Sequence, residues 1–153
     1  MLVREKATRD QAQCLDLLLE AHQVDGYPLY LPDDVPAFIT PDYEVAAWVA
    51  EHDGRVVGHV ALHRASVDPT LAAAQRATGL AGERLAVVSR LFTCPRLRRS
   101  GVGRSLLRYA TEQAPTVEAC LRYSGNGTRT IAMPRPCRSS CGGRGFRLAC
   151  AKG

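Results

Sequence analysis

Val88-Ser89-Arg90-Leu91-Phe92-Thr93-Cys94-Pro95-Arg96-Leu97-Arg98-Arg99-Ser100-Gly101-Val102-Gly103-Arg104-Ser105-Leu106-Leu107 is the stretch whose reading decides the fold. It continues a strand-like run that begins at Arg84, and Pro95 stops that run because proline brings no N–H to a ladder. A basic loop follows at 96–100. Gly101-Val102-Gly103 then opens a helix whose apolar positions Val102, Leu106, Leu107, Ala110 and Ala114 share one face, and Pro115 ends it. A helix start leaves unpaired N–H groups at the positive end of the dipole. Gly101 and Gly103 clear Cβ atoms from that backbone, and Arg98, Arg99 and Arg104 add charge. The unit is therefore an anion trap suited to a pyrophosphate. No Gly-Lys-Ser/Thr follows, which disfavours an NTPase, and a third glycine for a dinucleotide fingerprint is missing.

Upstream, Leu2–Arg4 suits an edge strand. Thr8-Arg9-Asp10 offers a cap for an apolar run at helical spacing through Ala12, Leu15, Leu18, Leu19 and His22. Residues 24–43 hold Pro28, Pro32, Pro36 and Pro41, which excludes a long helix or a central strand, although a helical turn fits near Asp33–Phe38. Residues 44–51 and 55–63 read as strands joined by Asp53-Gly54, a strong hairpin signal. Alternation at Val57, His59, Ala61 and His63 places both histidines on one face, Trp48 reads as core, and Gly58 marks a bulge or a close approach. The Ala-rich run 65–83 has a helical middle at Leu71–Arg76, and residues 117–122 suit a further strand.

A chain of 153 residues makes one domain. No stretch reaches the apolar length of a membrane span, so no membrane partner is expected. The opening Met1-Leu2-Val3-Arg4-Glu5-Lys6 lacks an apolar signal region, so the expected compartment is the cytoplasm. The net charge of +5 is unevenly spread: seven Lys/Arg against Glu118 alone lie after residue 114. Four of the six cysteines, Cys120, Cys137, Cys141 and Cys150, also lie there, with a spacing that fits zinc poorly. Residues 124–153 hold only Ile131 and Leu148 as branched aliphatics, and no strand or helix that buries a face is expected among them. The organisation expected is a domain at 1–123 and an atypical basic Cys/Gly/Arg-rich segment at 124–153. Both a frameshifted reading of GC-rich coding sequence and a natural disordered basic tail would give that composition. Without interleaved aromatics the tail makes a poor nucleic-acid binder.

The string from Val88 to Leu107 closely resembles the acyl-coenzyme A motif of the GNAT N-acetyltransferases, with Arg98, Gly101 and Gly103 in its fixed places. The resemblance covers roughly residues 2–122. It implies an α/β chain of the α+β type, with a mixed, mostly antiparallel sheet flanked by helices and an atypical or incomplete C-terminal part. It implies acetyl-CoA as co-substrate and an amine as acceptor. Leu91, Phe92 and Thr93 would run beside the pantetheine arm, and Arg98, Arg99, Ser100, Gly101, Val102, Gly103 and Arg104 would cradle the pyrophosphate.

The implied reaction is direct attack by a deprotonated amine on the thioester. The family pattern places an acidic tyrosine after the fifth strand, and here Asn126 to Pro134 puts Pro134 at that position. Gly145-Phe146-Arg147 resembles the string that usually follows, but comes too late. Tyr123 is the substitute candidate for the acid. Glu44, Glu83, His59 and His63 are the candidates for the base. Acids and aromatics in the segment 24–43, namely Asp25, Asp33, Asp34, Tyr27, Tyr30 and Tyr43, would suit a cationic amine. The rival expectation is an acyl-CoA-binding domain without catalysis, a sensor or pseudoenzyme. A missing C-terminal ending would leave a sheet edge bare and favour a homodimer.

Overall fold

The computed structural model describes residues 1–64, 69–113, 118–122 and 130–132, the last two segments as backbone. The expected strands and helices form over these residues. Strands are β1 (Leu2–Glu5), β2 (Glu44–His52), β3 (Arg55–His63), β4 (Leu85–Thr93), β5 (Glu118–Arg122) and β6 (Thr130–Ala132). Helices are α1 (Gln11–Asp25), α2 (Val35–Ile39), α3 (Pro69–Thr78) and α4 (Val102–Gln113). The strands make one sheet in chain order, antiparallel everywhere except for the parallel pair β4–β5. No helix among the described residues is long and apolar enough to cross a membrane.

Two apolar layers hold helices to the sheet. On one face, Val102, Leu106 and Ala110 of α4 pack on Trp48, Ala50, Val60, Leu62, Ala86 and Val88. On the other, Cys14, Leu17, Leu18 and Ala21 of α1 meet Ile39, Val49, Val56 and Phe92, while α3 covers Leu85 and Val87 through Leu71 and Ala74. The hairpin β2–β3 turns at Asp53 and Gly54, with φ of 49° and 73°. Those positive values are what a tight two-residue turn between twisted strands demands.

Three details differ from the sequence expectation. Val57 does not share a face with His59. Ala50 pairs with Gly58 and Glu51 with Val56, so Val57 is an extra residue in β3 and turns to the α4 side. Asp10 does not cap α1. Its carboxylate turns back to the Ala7 N–H at 2.8 Å and to both terminal nitrogens of Arg4 at 2.7 and 2.9 Å. Arg4 also pairs with Glu51, tying β1, β2 and the entry of α1 together. Finally, a short strand does form after residue 124: Thr130–Ala132 pairs antiparallel with β5, and Thr130 and Ile131 are of the β-branched type that strands favour.

Candidate functional site

The site is built where β4 leaves its neighbours. His59 pairs with Phe92 and Ala61 with Ser89, so Arg90 and Leu91 together face the single residue Val60. Arg90 adopts φ 52°, the left-handed region that non-glycine residues enter at a cost. Such a bulge bends its strand. On the opposite edge, the ladder to β5 ends at Val88, paired with Leu121. The Cys94 N–H donates to the Val57 carbonyl, so Cys94 and Phe92 direct their backbone groups toward β3. By alternation those of Leu91 and Thr93 turn the other way, toward the β5 side. Beyond Val88 that side holds no strand partner among the described residues.

His59 explains how the bulge is held. Its ring is fully buried and stacked on Phe92, with centroids 4.9 Å apart. Its Nδ1 lies 2.9 Å from the Arg90 carbonyl. A carbonyl only accepts, so Nδ1 carries a proton, and Nε2, buried with no acceptor among the described residues, carries none in the neutral ring. Burial pushes its pKa down to about 3, outweighing the upward pull of that hydrogen bond. His59 is thus a strut for the bulge. His63 is buried on the same strand with its ring edge-on to Tyr43 at 5.1 Å.

The loop after β4 makes one 3₁₀ turn at Pro95–Leu97 and passes through Arg99 (φ 61°) and Gly101 (φ 88°). The Ser105 N–H donates to the Gly101 carbonyl at 2.9 Å. The N–H groups of Val102, Gly103 and Arg104 therefore precede the first intrahelical donor and have no acceptor within the helix. Nothing lies within 4 Å of where a Gly101 Cβ would stand, so glycine is needed there for conformation rather than room. Arg99, Ser100 and Arg104 are exposed around this turn, and neither arginine is ion-paired among the described residues. Arg98 instead forms an ion pair with Asp25 at the end of α1, and Arg96 lies 3.5 Å from Glu20. Free first-turn amides, unpaired cations and an outward strand edge beside them, with a Gly103 Cβ position 3.8 Å from Thr93 Cγ2, fit a phosphate-bearing thioester.

Gly58 sets the placement of α4. A Cβ there would stand 2.7 Å from Leu106 Cδ1 and 2.8 Å from Val102 Cγ1. Only glycine lets the helix start lie this close to β3.

On the α2 side of the bulge lies an open cavity of about 410 Å³. Asp34, Phe38, Asp42, Tyr43 and Arg90 are among its lining residues. Of the acids and aromatics expected to meet an acceptor, Asp34 and Tyr43 are here. Asp25 is taken by Arg98, Tyr27 packs 6.4 Å from Phe92, and Tyr30 is exposed. A second cavity of similar size, sharing Thr40, is lined by Lys6, Gln11 and Glu44. Glu44 Oε2 is buried with no hydrogen-bond partner, and desolvation raises the pKa of its carboxyl against the opposing pull of Lys6. Glu83 sits exposed in the 3₁₀ turn before β4. The strand from Leu85 to Arg90 alone separates it from the bulge by roughly 16 Å. Tyr123, Pro134, the Gly145–Arg147 string and the cysteines from Cys137 onward lie outside the described residues. Arg90 is the residue sequence reasoning missed; its one signal was a lone cation inside the apolar run Val-Val-Ser-Arg-Leu-Phe.

Residues 12–132 match the model of the GNAT acetyltransferase family. The chain belongs to that family. Several solved structures share its fold. A GNAT family acetyltransferase from Brucella melitensis, in complex with acetyl-CoA, is 19% identical with a TM-score of 0.62, over 82% of this chain and 77% of that one. A ribosomal-protein-alanine N-acetyltransferase from Brucella melitensis is 19% identical with a TM-score of 0.56, over 79% and 73%. The diaminobutyrate acetyltransferase from Paenibacillus lautus, in complex with its substrate L-2,4-diaminobutyric acid and coenzyme A, is 19% identical with a TM-score of 0.52, over 80% and 65%. At this identity the likeness establishes the fold alone. No curated protein sequence matches significantly.

Proposed function

We propose that this protein is an acetyl-CoA-dependent N-acetyltransferase that acts on a primary amine. The observation that carries the reading is the end of the described β4–β5 ladder at Val88, just before the Arg90 bulge, with the unpaired amides of α4 beside Thr93. Leu91 and Thr93 offer backbone groups to a pantetheine arm laid along that edge as an added strand. The amides of Val102, Gly103 and Arg104, with Arg99 and Arg104, receive the pyrophosphate. When bound, the co-substrate supplies an acetyl thioester whose carbonyl carbon takes the amine as the thiol leaves. The Leu91 N–H, pointing to the cleft, is the donor for the carbonyl oxygen. Glu44 is the candidate base: burial raises the pKa of its carboxyl, and the cavity it lines meets the Arg90 cavity at Thr40, so it would reach the amine only through water.

A second reading, acyl-CoA binding without transfer, is favoured by Pro134 at the position where the family pattern has tyrosine. Acetyl-CoA titration followed by free-thiol release over an amine panel separates the two. Binding with thiol release supports the enzyme, and binding without release supports the second reading.

A further inference from the structure

Arg90 lies one residue before Leu91, at the point where β4 bends, and its side chain crosses into the cavity beside α2. There it is held in two ways. Its Nε–H donates to the Phe38 carbonyl at 2.8 Å, and its guanidinium carbon sits 3.5 Å over the centre of the Phe38 ring. The Nε bond and the stacking fix the plane of the guanidinium. Its two terminal nitrogens are then left without a hydrogen bond or ion pair among the described residues, although Asp34 and Asp42 line the same cavity. Asp34 is occupied in part, since its Oδ1 accepts the Ala37 N–H at 2.9 Å.

Such an arrangement is costly to leave without purpose. The bulge forces a non-glycine residue to φ 52°, and that residue is a long cation rather than the Gly or Asn that would adopt the conformation most readily. A planar fork held by stacking, with both outer nitrogens open, matches a carboxylate in bidentate fashion. Asp34 and Asp42 keep the rest of the cavity negative, which draws in an ammonium and opposes a second carboxylate. The cavity thus presents one cationic fork and an acidic surround, the complement of a zwitterion.

We infer that the acceptor is an amine that also bears a carboxylate, an amino acid or the end of a short peptide, and that Arg90 binds that carboxylate beside the Leu91 bulge. The inference rests on the acetyltransferase reading for the role of the cavity. Its test is equilibrium binding, so the two can fail separately.

The experiment titrates the full chain, by calorimetry and by ligand-observed NMR, with a panel of amino acids and their carboxamides. L-Lysine, L-lysinamide and 1,5-diaminopentane form one such set, with L-glutamate as the dicarboxylate. At least one amino acid is expected to bind ten times more tightly than its own carboxamide or more, and L-glutamate more weakly than L-glutamine. In Arg90→Gln the acid and the carboxamide bind alike, while Arg90→Lys, which keeps charge but loses the fork, falls between. Asp42→Asn is expected to weaken the acid and its carboxamide by the same factor. The inference is overturned if every carboxamide binds as well as its acid on the native chain, or if no panel member binds. It is also overturned if Arg90→Gln, shown folded by circular dichroism, keeps the preference. Thiol release with carboxylate-free amines alone would sustain the acetyltransferase reading and overturn this one.

Discussion

Replacing Gly58 by alanine places one methyl group between the sheet and the start of α4. The added Cβ would stand 2.7 Å from Leu106 Cδ1, 2.8 Å from Val102 Cγ1 and 3.4 Å from Thr93 Cγ2. Carbon atoms rest at about 3.5–4 Å, so the N-terminal turn of α4 must retreat by roughly 1 Å. Both obstructing side chains are fully or nearly fully buried, Leu106 at 0% and Val102 at 3% exposure, and have nowhere to swing. Overpacking of this kind costs about 1–3 kcal/mol. In a chain of this length each kcal/mol lowers the melting temperature by about 2–4 °C. The melting temperature of Gly58→Ala should therefore fall by roughly 2–12 °C. Because the part displaced is the turn carrying the free amides, acetyl-CoA affinity should fall by about tenfold, about 1.4 kcal/mol. Adding Val102→Ala should restore part of both, with a coupling of at least about 0.5 kcal/mol in a double-mutant cycle. Thermal denaturation and calorimetry are the assays. A Gly58→Ala protein that melts within about 1 °C of the parent and binds acetyl-CoA equally would refute the close-packing argument.

Three further outcomes follow from named contacts. Gly101→Ala meets open space but must hold φ 88°, so it should destabilise by about 1–3 kcal/mol and weaken acetyl-CoA binding. Gly103→Ala, with its Cβ 3.8 Å from Thr93 Cγ2, should be tolerated; equal melting temperatures for the two variants would contradict this. The Asp10 carboxyl is held down at about 2 by its hydrogen bonds to Arg4, from an ordinary value of 3.8. Its contribution, of order 2 kcal/mol for a side chain 2% exposed, is complete above about pH 4 and lost as pH falls through 2. Denaturant midpoints across that window should drop in the parent and much less in Asp10→Asn. His59, neutral and buried with its pKa near 3, costs stability as pH falls from 6.5 toward 3, because the unfolded ring takes up a proton that the folded one refuses. His59→Gln should flatten the stability profile in that range, and an unchanged slope would argue against a buried neutral ring.

Much of the fold was legible because its signals are local. Asp53-Gly54 dictates the hairpin, and Gly101-Val102-Gly103 after a strand and a proline dictates the amide-rich helix start. The rest depends on partners far apart in sequence. Asp10 looks like a helix cap until Arg4 and Glu51 are brought beside it. Arg98 reads in sequence as a phosphate ligand alone, and only the fold shows the end of α1 bringing Asp25 beside it. The bulge in β3 was signalled at Gly58, though not that Val57 would be its extra residue, whereas the bulge in β4 was hidden because Arg90 is not a residue type that announces one. The extra residue in β3 moves Val57 to the opposite face. The bulge in β4 leaves Arg90 left-handed, its carbonyl taken by a histidine from the neighbouring strand. Thr130–Ala132 escaped notice because three residues carry no periodicity. Glu44 and Glu83 read alike in sequence, and only burial separates a desolvated carboxyl from an exposed one.

The proposed seat of acetyl-CoA is the edge of β4 beyond Val88, free among the described residues, together with the first-turn amides of α4. Calorimetric titration of the folded full chain with acetyl-CoA, in parallel with Gly101→Ala, tests it most directly. Saturable one-to-one binding that weakens in the variant is the expected result. A folded chain that takes up no acetyl-CoA, or one that binds it equally with and without Gly101, would contradict it.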